Sequence, residues 1–143
     1  MQGGAASWVL GLYLLVAMFL IPARADNIPP CTLPDGVRSM SLENGTPPAL
    51  LWALTRDLGE YSPPGGHFDA TDVVVTGRSR RLIFIWNAGR RWVVATEHGG
   101  IGYNNPILAY DLNKDDEFAT LVATRIAFPK SVCSTATGLL AVP

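Results

Sequence analysis

Leu50, Leu51, Leu54 and Leu58 recur at helical spacing and predict an amphipathic helix over 47–58, with Trp52 at the flank of its apolar stripe. The Thr46 hydroxyl can accept a first-turn amide, and Pro47 and Pro48 fall where a missing N–H costs little. Gly59 ends the helix. After the Pro- and Gly-rich loop Tyr61 to Thr71, the pattern changes to β. Strands are predicted at Asp72 to Thr76 (DVVVT), Arg81 to Trp86 (RLIFIW), Trp92 to Glu97 (WVVATE), Ile107 to Leu112, and roughly Glu117 to Phe128. Between them lie Gly77-Arg78-Ser79, Asn87-Ala88-Gly89, the loop His98 to Pro106, and Asn113 to Asp116. Links this short join antiparallel neighbours, because parallel strands need long crossovers. The expected fold is therefore α+β: one N-terminal helix on a five-stranded antiparallel meander.

The RLIFIW strand departs from simple alternation. Leu82, Phe84 and Trp86 are expected on one face, and Ile83 and Ile85 on the other, so both faces are apolar. A sheet with one helix against it should be polar on its far side. The far side therefore needs a cover of its own. Three are open to it: a sheet curled into a half-barrel, the chain's own arm and tail, or another chain, either a protein partner or a second copy.

The ends of the chain set its compartment. Trp8 to Ile21 is fourteen residues without a charge, and a helix of that length rises about 21 Å. This falls short of the roughly 30 Å needed to cross a bilayer. Pro22 and Ala23-Arg24-Ala25 follow, a small-x-small pattern that a signal peptidase accepts. Residues 1–25 are expected to be a cleavable signal peptide, 26–46 an irregular arm, 47–133 the domain, and 134–143 a tail. The n-region has no Lys or Arg, so the destination is left as periplasm or medium, with no membrane association after cleavage. Cys31 and Cys133 are the only cysteines, and in an oxidising compartment they are expected to form a disulfide; the alternatives are two free buried thiols or a metal site, which no Cys-x-x-Cys or nearby His supports. Loss of Arg24 with all twelve acidic residues retained takes the formal charge from −1 to −2. A chain so nearly neutral has no basic face for nucleic acid.

Candidate chemistry is sparse. His67 and His98 are the only histidines, each beside two glycines. Counting antiparallel traverses puts them at opposite ends of the sheet, which argues against a shared metal with Asp69 and Glu97. The preferred sheet end gathers His98, Glu97 and Tyr103 as catalytic candidates, with Arg78, Arg80, Asn104 and Asn105 as binding candidates. A His near a carboxylate can act as a general base, but neighbours on one strand point to opposite faces. Arg78, Arg80 and Arg81 also form a candidate anionic-partner site. Trp86 and Trp92 are expected to pair across their hairpin as core. Gly100-Ile101-Gly102 lacks the third glycine and the helix of a dinucleotide fingerprint, and Asp111 to Glu117 lacks the spacing of a calcium loop. No cofactor and no metal is expected. Asn44-Gly45-Thr46 fits a glycosylation acceptor in a host that glycosylates exported chains.

From these features the expected role is a non-enzymatic binding, inhibitor or accessory module of the cell envelope. The alternatives are a small hydrolase using His98 with Glu97 or Tyr103, and a purely structural envelope protein. Export is directly measurable: the protein recovered from an exporting host should begin at Asp26 by intact mass and amino-terminal sequencing. Recovery of a chain that still begins at Met1 would overturn the expectation.

Overall fold

The computed structural model of the chain describes residues 28–71 and 77–141. The signal-peptide expectation and the predicted strand Asp72 to Thr76 lie outside the described residues. Five strands form one antiparallel sheet in sequential order: β1 (Arg38–Met40), β2 (Arg80–Ala88), β3 (Arg91–His98), β4 (Asn105–Leu112) and β5 (Ala119–Ala127). Helix α1 (Pro48–Leu58) lies between β1 and β2, and helix α2 (Val132–Leu140) follows β5 after a short 3-10 turn. No helix among the described residues is long and apolar enough to cross a membrane.

The expected helix and three of the expected strands form with boundaries shifted by one or two residues, and β5 is a little shorter than its predicted range. Two elements are new. The arm supplies β1, which pairs Met40 with Ile85 and Arg38 with Asn87 at the edge of the sheet. The segment expected to be a tail folds as α2, because Val132, Ala136 and Leu139 fall at i, i+4 and i+7 and form a buried stripe. The fold thus has a second helix, at the carboxyl end.

Each face of the sheet has its own core. Leu50, Ala53, Leu54 and Leu58 of α1 pack on Leu82, Ile85, Trp92, Val94, Leu108 and Tyr110. The Tyr110 hydroxyl donates to Asp57 Oδ2 at 2.9 Å and ties α1 to β4. On the other face, α2 and the arm residues Ile28, Cys31 and Val37 cover Trp86, Val93, Ala95, Ile107 and Ala109. The second cover foreseen for the RLIFIW strand is therefore the chain's own arm and tail. Cys31 and Cys133 form the expected disulfide, which joins arm to helix across 102 residues of sequence.

A β-bulge changes the face assignments within β2. Leu82 pairs with Thr96 and Phe84 with Ala95, leaving Ile83 as the extra residue. A bulge resets the alternation. Leu82 and Ile85 consequently join the α1 core, while Ile83, Phe84 and Trp86 lie on the α2 face. Nor do the two tryptophans pair. Trp86 sits opposite Val93 and Asn87 opposite Trp92, so the rings enter different cores, both buried. The hairpin turn is Gly89-Arg90, with Gly89 at φ 62°, the positive φ that a two-residue hairpin favours at its first position.

Arg91 is buried beneath the end of α2. Its Nε donates to Asp111 Oδ1 at 2.6 Å and its Nη1 to the Leu139 carbonyl at 2.8 Å. A cation at a helix C-terminus also complements the helix dipole. At nine residues α2 is shorter than the ~12–15 residues at which isolated helices become marginally stable, so it depends on these anchors. Replacing both Cys31 and Cys133 by Ala should lower stability by about 2–5 kcal/mol, read from the urea midpoint. An unchanged midpoint would show that the arm and α2 hold without the bond.

Candidate functional site

Arg81 of β2 stands directly opposite Glu97 of β3. Its Nη2 lies 2.6 Å from Glu97 Oε2 and its Nε donates to the same oxygen at 2.8 Å. Glu97 is 3% exposed at its side chain and Arg81 17%, so the pair is largely shielded from water. The Tyr103 hydroxyl donates to Glu97 Oε1 at 3.1 Å, and Asn105 Nδ2 reaches that hydroxyl at 3.5 Å. Asn105 Oδ1 is buried without a hydrogen-bond partner among the described residues. The Arg81 guanidinium stacks 4.6 Å above the Phe68 ring and donates to the Gly66 carbonyl at 3.3 Å. One ion pair thereby fastens the Gly66 and Phe68 loop to the sheet and to the loop carrying Tyr103.

Gly99 of the His98 loop has a packing reason. A Cβ on Gly99 would fall 2.0 Å from the Asp69 carbonyl oxygen. The Gly99 amide instead donates to Ser79 O at 2.8 Å, and the Gly100 amide to Ala70 O at 3.2 Å. These bonds correct the expectation that the two histidines lie at opposite ends. The Tyr61–Thr71 loop doubles back along β2, with Ser62 N donating to Arg80 O at 2.9 Å, and so returns to the His98 end. His67 is exposed there.

The sequence candidates divide between the two faces. Glu97, Tyr103 and Asn105 come together on the α2 face, joined by Arg81. His98 pairs with Arg80 on the α1 face, where Arg80 Nη1 donates to the Leu58 carbonyl at the end of α1. Burial, aided by the charge of Arg80, holds His98 below the ordinary histidine range. Burial likewise raises the Tyr103 phenol. Arg78 lies 4.0 Å from Glu60 on the surface, and Asn104 Nδ2 donates to Gly102 O at 2.7 Å within its own turn. Arg78, Arg80 and Arg81 therefore do not form a joint anion site, since Arg80 and Arg81 face opposite ways. No family model, curated protein or solved structure matches this chain.

Beside the ion pair, between β2 and the arm, lies a cleft of about 550 Å³. Ile28, Pro29, Pro30, Cys31 and Leu33 of the arm form one wall, and Ile83, Phe84 and Trp86 line the sheet side. The Phe84 and Trp86 rings stack with centroids 4.2 Å apart. Arg81 and Glu97 close the polar end. Sequence reasoning did not find this cleft. Its two signals were present, in the doubly apolar β2 and in the disulfide that draws Pro29, Pro30 and Leu33 over it.

Glu97 has both oxygens engaged, by Arg81 and Tyr103, and His98 points to the other side of the sheet. The pair should therefore behave as structure. Glu97→Gln should destabilise the fold by about 3 kcal/mol, because it removes the buried carboxylate from a largely shielded ion pair, whereas His98→Gln should cost less than about 1 kcal/mol. Chemical denaturation distinguishes them, and equal costs would count against this assignment.

Proposed function

We propose that this protein is an exported, non-enzymatic binding module whose cleft takes an apolar anchor presented by a partner protein. The observation that carries this reading is the composition of the cleft: stacked aromatic rings and prolines around an apolar trough, ended by an ion pair already neutralised. Its volume falls within the roughly 300–1,000 Å³ common for binding pockets. Aromatic side chains and arginine are the groups enriched at recognition sites. An apolar anchor gains by leaving water, and the Arg81 and Glu97 end gives such an anchor a direction. Export rests on the amino-terminal segment read from the sequence and is supported by the disulfide, a bond characteristic of oxidising compartments.

The hydrolase reading, with His98 and Glu97 or Tyr103, is less favoured by the geometry. A general base needs a lone pair facing a substrate, and the Glu97 carboxylate is shared between two donors while His98 lies on the opposite face. The purely structural reading is the weaker alternative, because it gives no role to a cleft flanked by conformationally stiff prolines.

Leu33, at the rim, is 41% exposed, so Leu33→Asp should change stability by no more than about 0.5 kcal/mol. The same change should weaken partner capture from periplasm or medium at least about tenfold, as expected for a charge set in an apolar recognition pocket. Quantitative pull-down with wild-type and Leu33→Asp protein tests this. Equal recovery of the same proteins by both would remove the cleft from the function.

A further inference from the structure

The two edges of the sheet differ in how they are finished. β1 is three residues long, between turns at Gly36 and Gly45. β5 is nine residues long, ATLVATRIA, with no proline, no glycine and a single charge at Arg125. Its outer edge pairs with nothing among the described residues. Such an edge offers unpaired backbone groups to another strand, and proteins normally blunt it with charge, proline or shortness. The one blunting device here is a bulge at Val122, the extra residue where Ala109 pairs with Ala123 and Tyr110 with Leu121.

We propose that β5 is a homodimer interface, with the β5 strands of two copies paired antiparallel about a two-fold axis at Ala123. The register with β4 supplies the argument. Ala119, Leu121, Thr124 and Ile126 oppose Leu112, Tyr110, Leu108 and Pro106, and so share the α1 face. Thr120, Ala123, Arg125 and Ala127 share the other face. With Ala123 on the axis, each residue meets one from the same face. With Val122 left out of this pairing as it is of the pairing with β4, Leu121 lies opposite Thr124, Thr120 opposite Arg125, and Ala119 opposite Ile126. No two charges face each other, which a self-pairing strand requires.

This register also fills a groove. Ile126 is 64% exposed, as are Trp52 at 76% and Phe118 at 67%. Trp52 and Phe118 flank a groove of about 460 Å³ that Ala119, Pro48 and Ala53 also line. Pairing Ile126 with Ala119 of the other copy places its side chain at that groove, and the two-fold repeats the contact. A patch that carries both the knob and its seat fits the isologous interface of a two-fold dimer. The interface lies at the edge of the sheet away from the cleft, so it neither uses nor blocks it.

Sedimentation equilibrium of the purified full chain at micromolar concentration should give a dimer mass. Ile126→Lys and Trp52→Ala should each weaken dimerisation about tenfold or more, as central interface residues do. There is no free cysteine to interfere, and antiparallel partners have Cα atoms about 4.5–5.5 Å apart, within disulfide range. Ala123→Cys should therefore form a covalent dimer on mild oxidation, while Glu43→Cys should not. A monomeric wild type, a dimer indifferent to both Ile126→Lys and Trp52→Ala, or no excess of cross-linking at Ala123→Cys would each overturn the proposal.

Discussion

β3 is buried at seven consecutive positions, Arg91 to Glu97, and a strand enclosed on both faces obliges the chain to supply two covers. One cover is self-sufficient: α1 presents four buried positions to its face and is fixed at its end by Tyr110 and Arg80. The other is assembled from pieces that could not stand alone. The arm has little regular structure, and α2 is short and contains Gly138. The disulfide joins these pieces to each other, and the Arg91 fork joins α2 to the sheet. The second core therefore depends on cross-links as much as on apolar area, consistent with a small domain that cannot rely on burial alone.

An assembled cover leaves gaps. α2 packs on β3, β4 and β5, and the arm crosses beside β2, so the cleft opens where the two do not merge. At that end of the face the sheet carries Arg81, Glu97 and Asn105 in place of hydrophobic residues. A buried ion pair contributes little net stability compared with a well-packed apolar pair, but it is demanding in geometry. Here it fixes where the Phe68 and Tyr103 loops meet the sheet, and so defines the polar wall of the cleft. Glu97, a catalytic candidate in the sequence, is here one half of the pair that positions the walls of the cleft.

The long periodic elements were legible. Four leucines at helical spacing marked α1, and β-rich runs between turn residues marked β2 to β5. The doubly apolar β2 correctly implied a second cover. What escaped were features without a period of their own. Three residues of β1 are too few to show alternation, and DGVRSMS between two turn signals reads as loop. The stripe of Val132, Ala136 and Leu139 was present, but residues such as Ser, Thr and Gly with low helix propensity concealed it. The bulge at Ile83 shifted faces by one residue, which moved Phe84 away from Leu82. The site was only half visible, because Glu97, Tyr103 and Asn105 are near in sequence whereas Arg81 and the arm arrive through tertiary structure. The traverse count failed for His67 because the loop doubles back along β2, stitched through Ser62 and Gly99.

Covering both faces leaves the edges to be managed, and the two edges are treated differently. The arm that completes the second core also supplies β1 and shelters the β2 edge, so the cleft and the protected edge have one origin. Among the described residues no comparable segment reaches β5, and the chain passes from Phe128 through a short 3-10 turn into α2. Pairing two copies there would extend the sheet without disturbing either core. A two-fold axis perpendicular to the sheet keeps like faces together, so both clefts would open on the same side, at the far ends of the joined sheet. Two weak apolar sites on one rigid surface can engage a partner that repeats its anchor far more tightly than either alone, provided the spacing matches. On the proposed pairing, an unfinished edge and an incomplete cover, each a cost for a single small domain, would become complementary parts of one recognition surface.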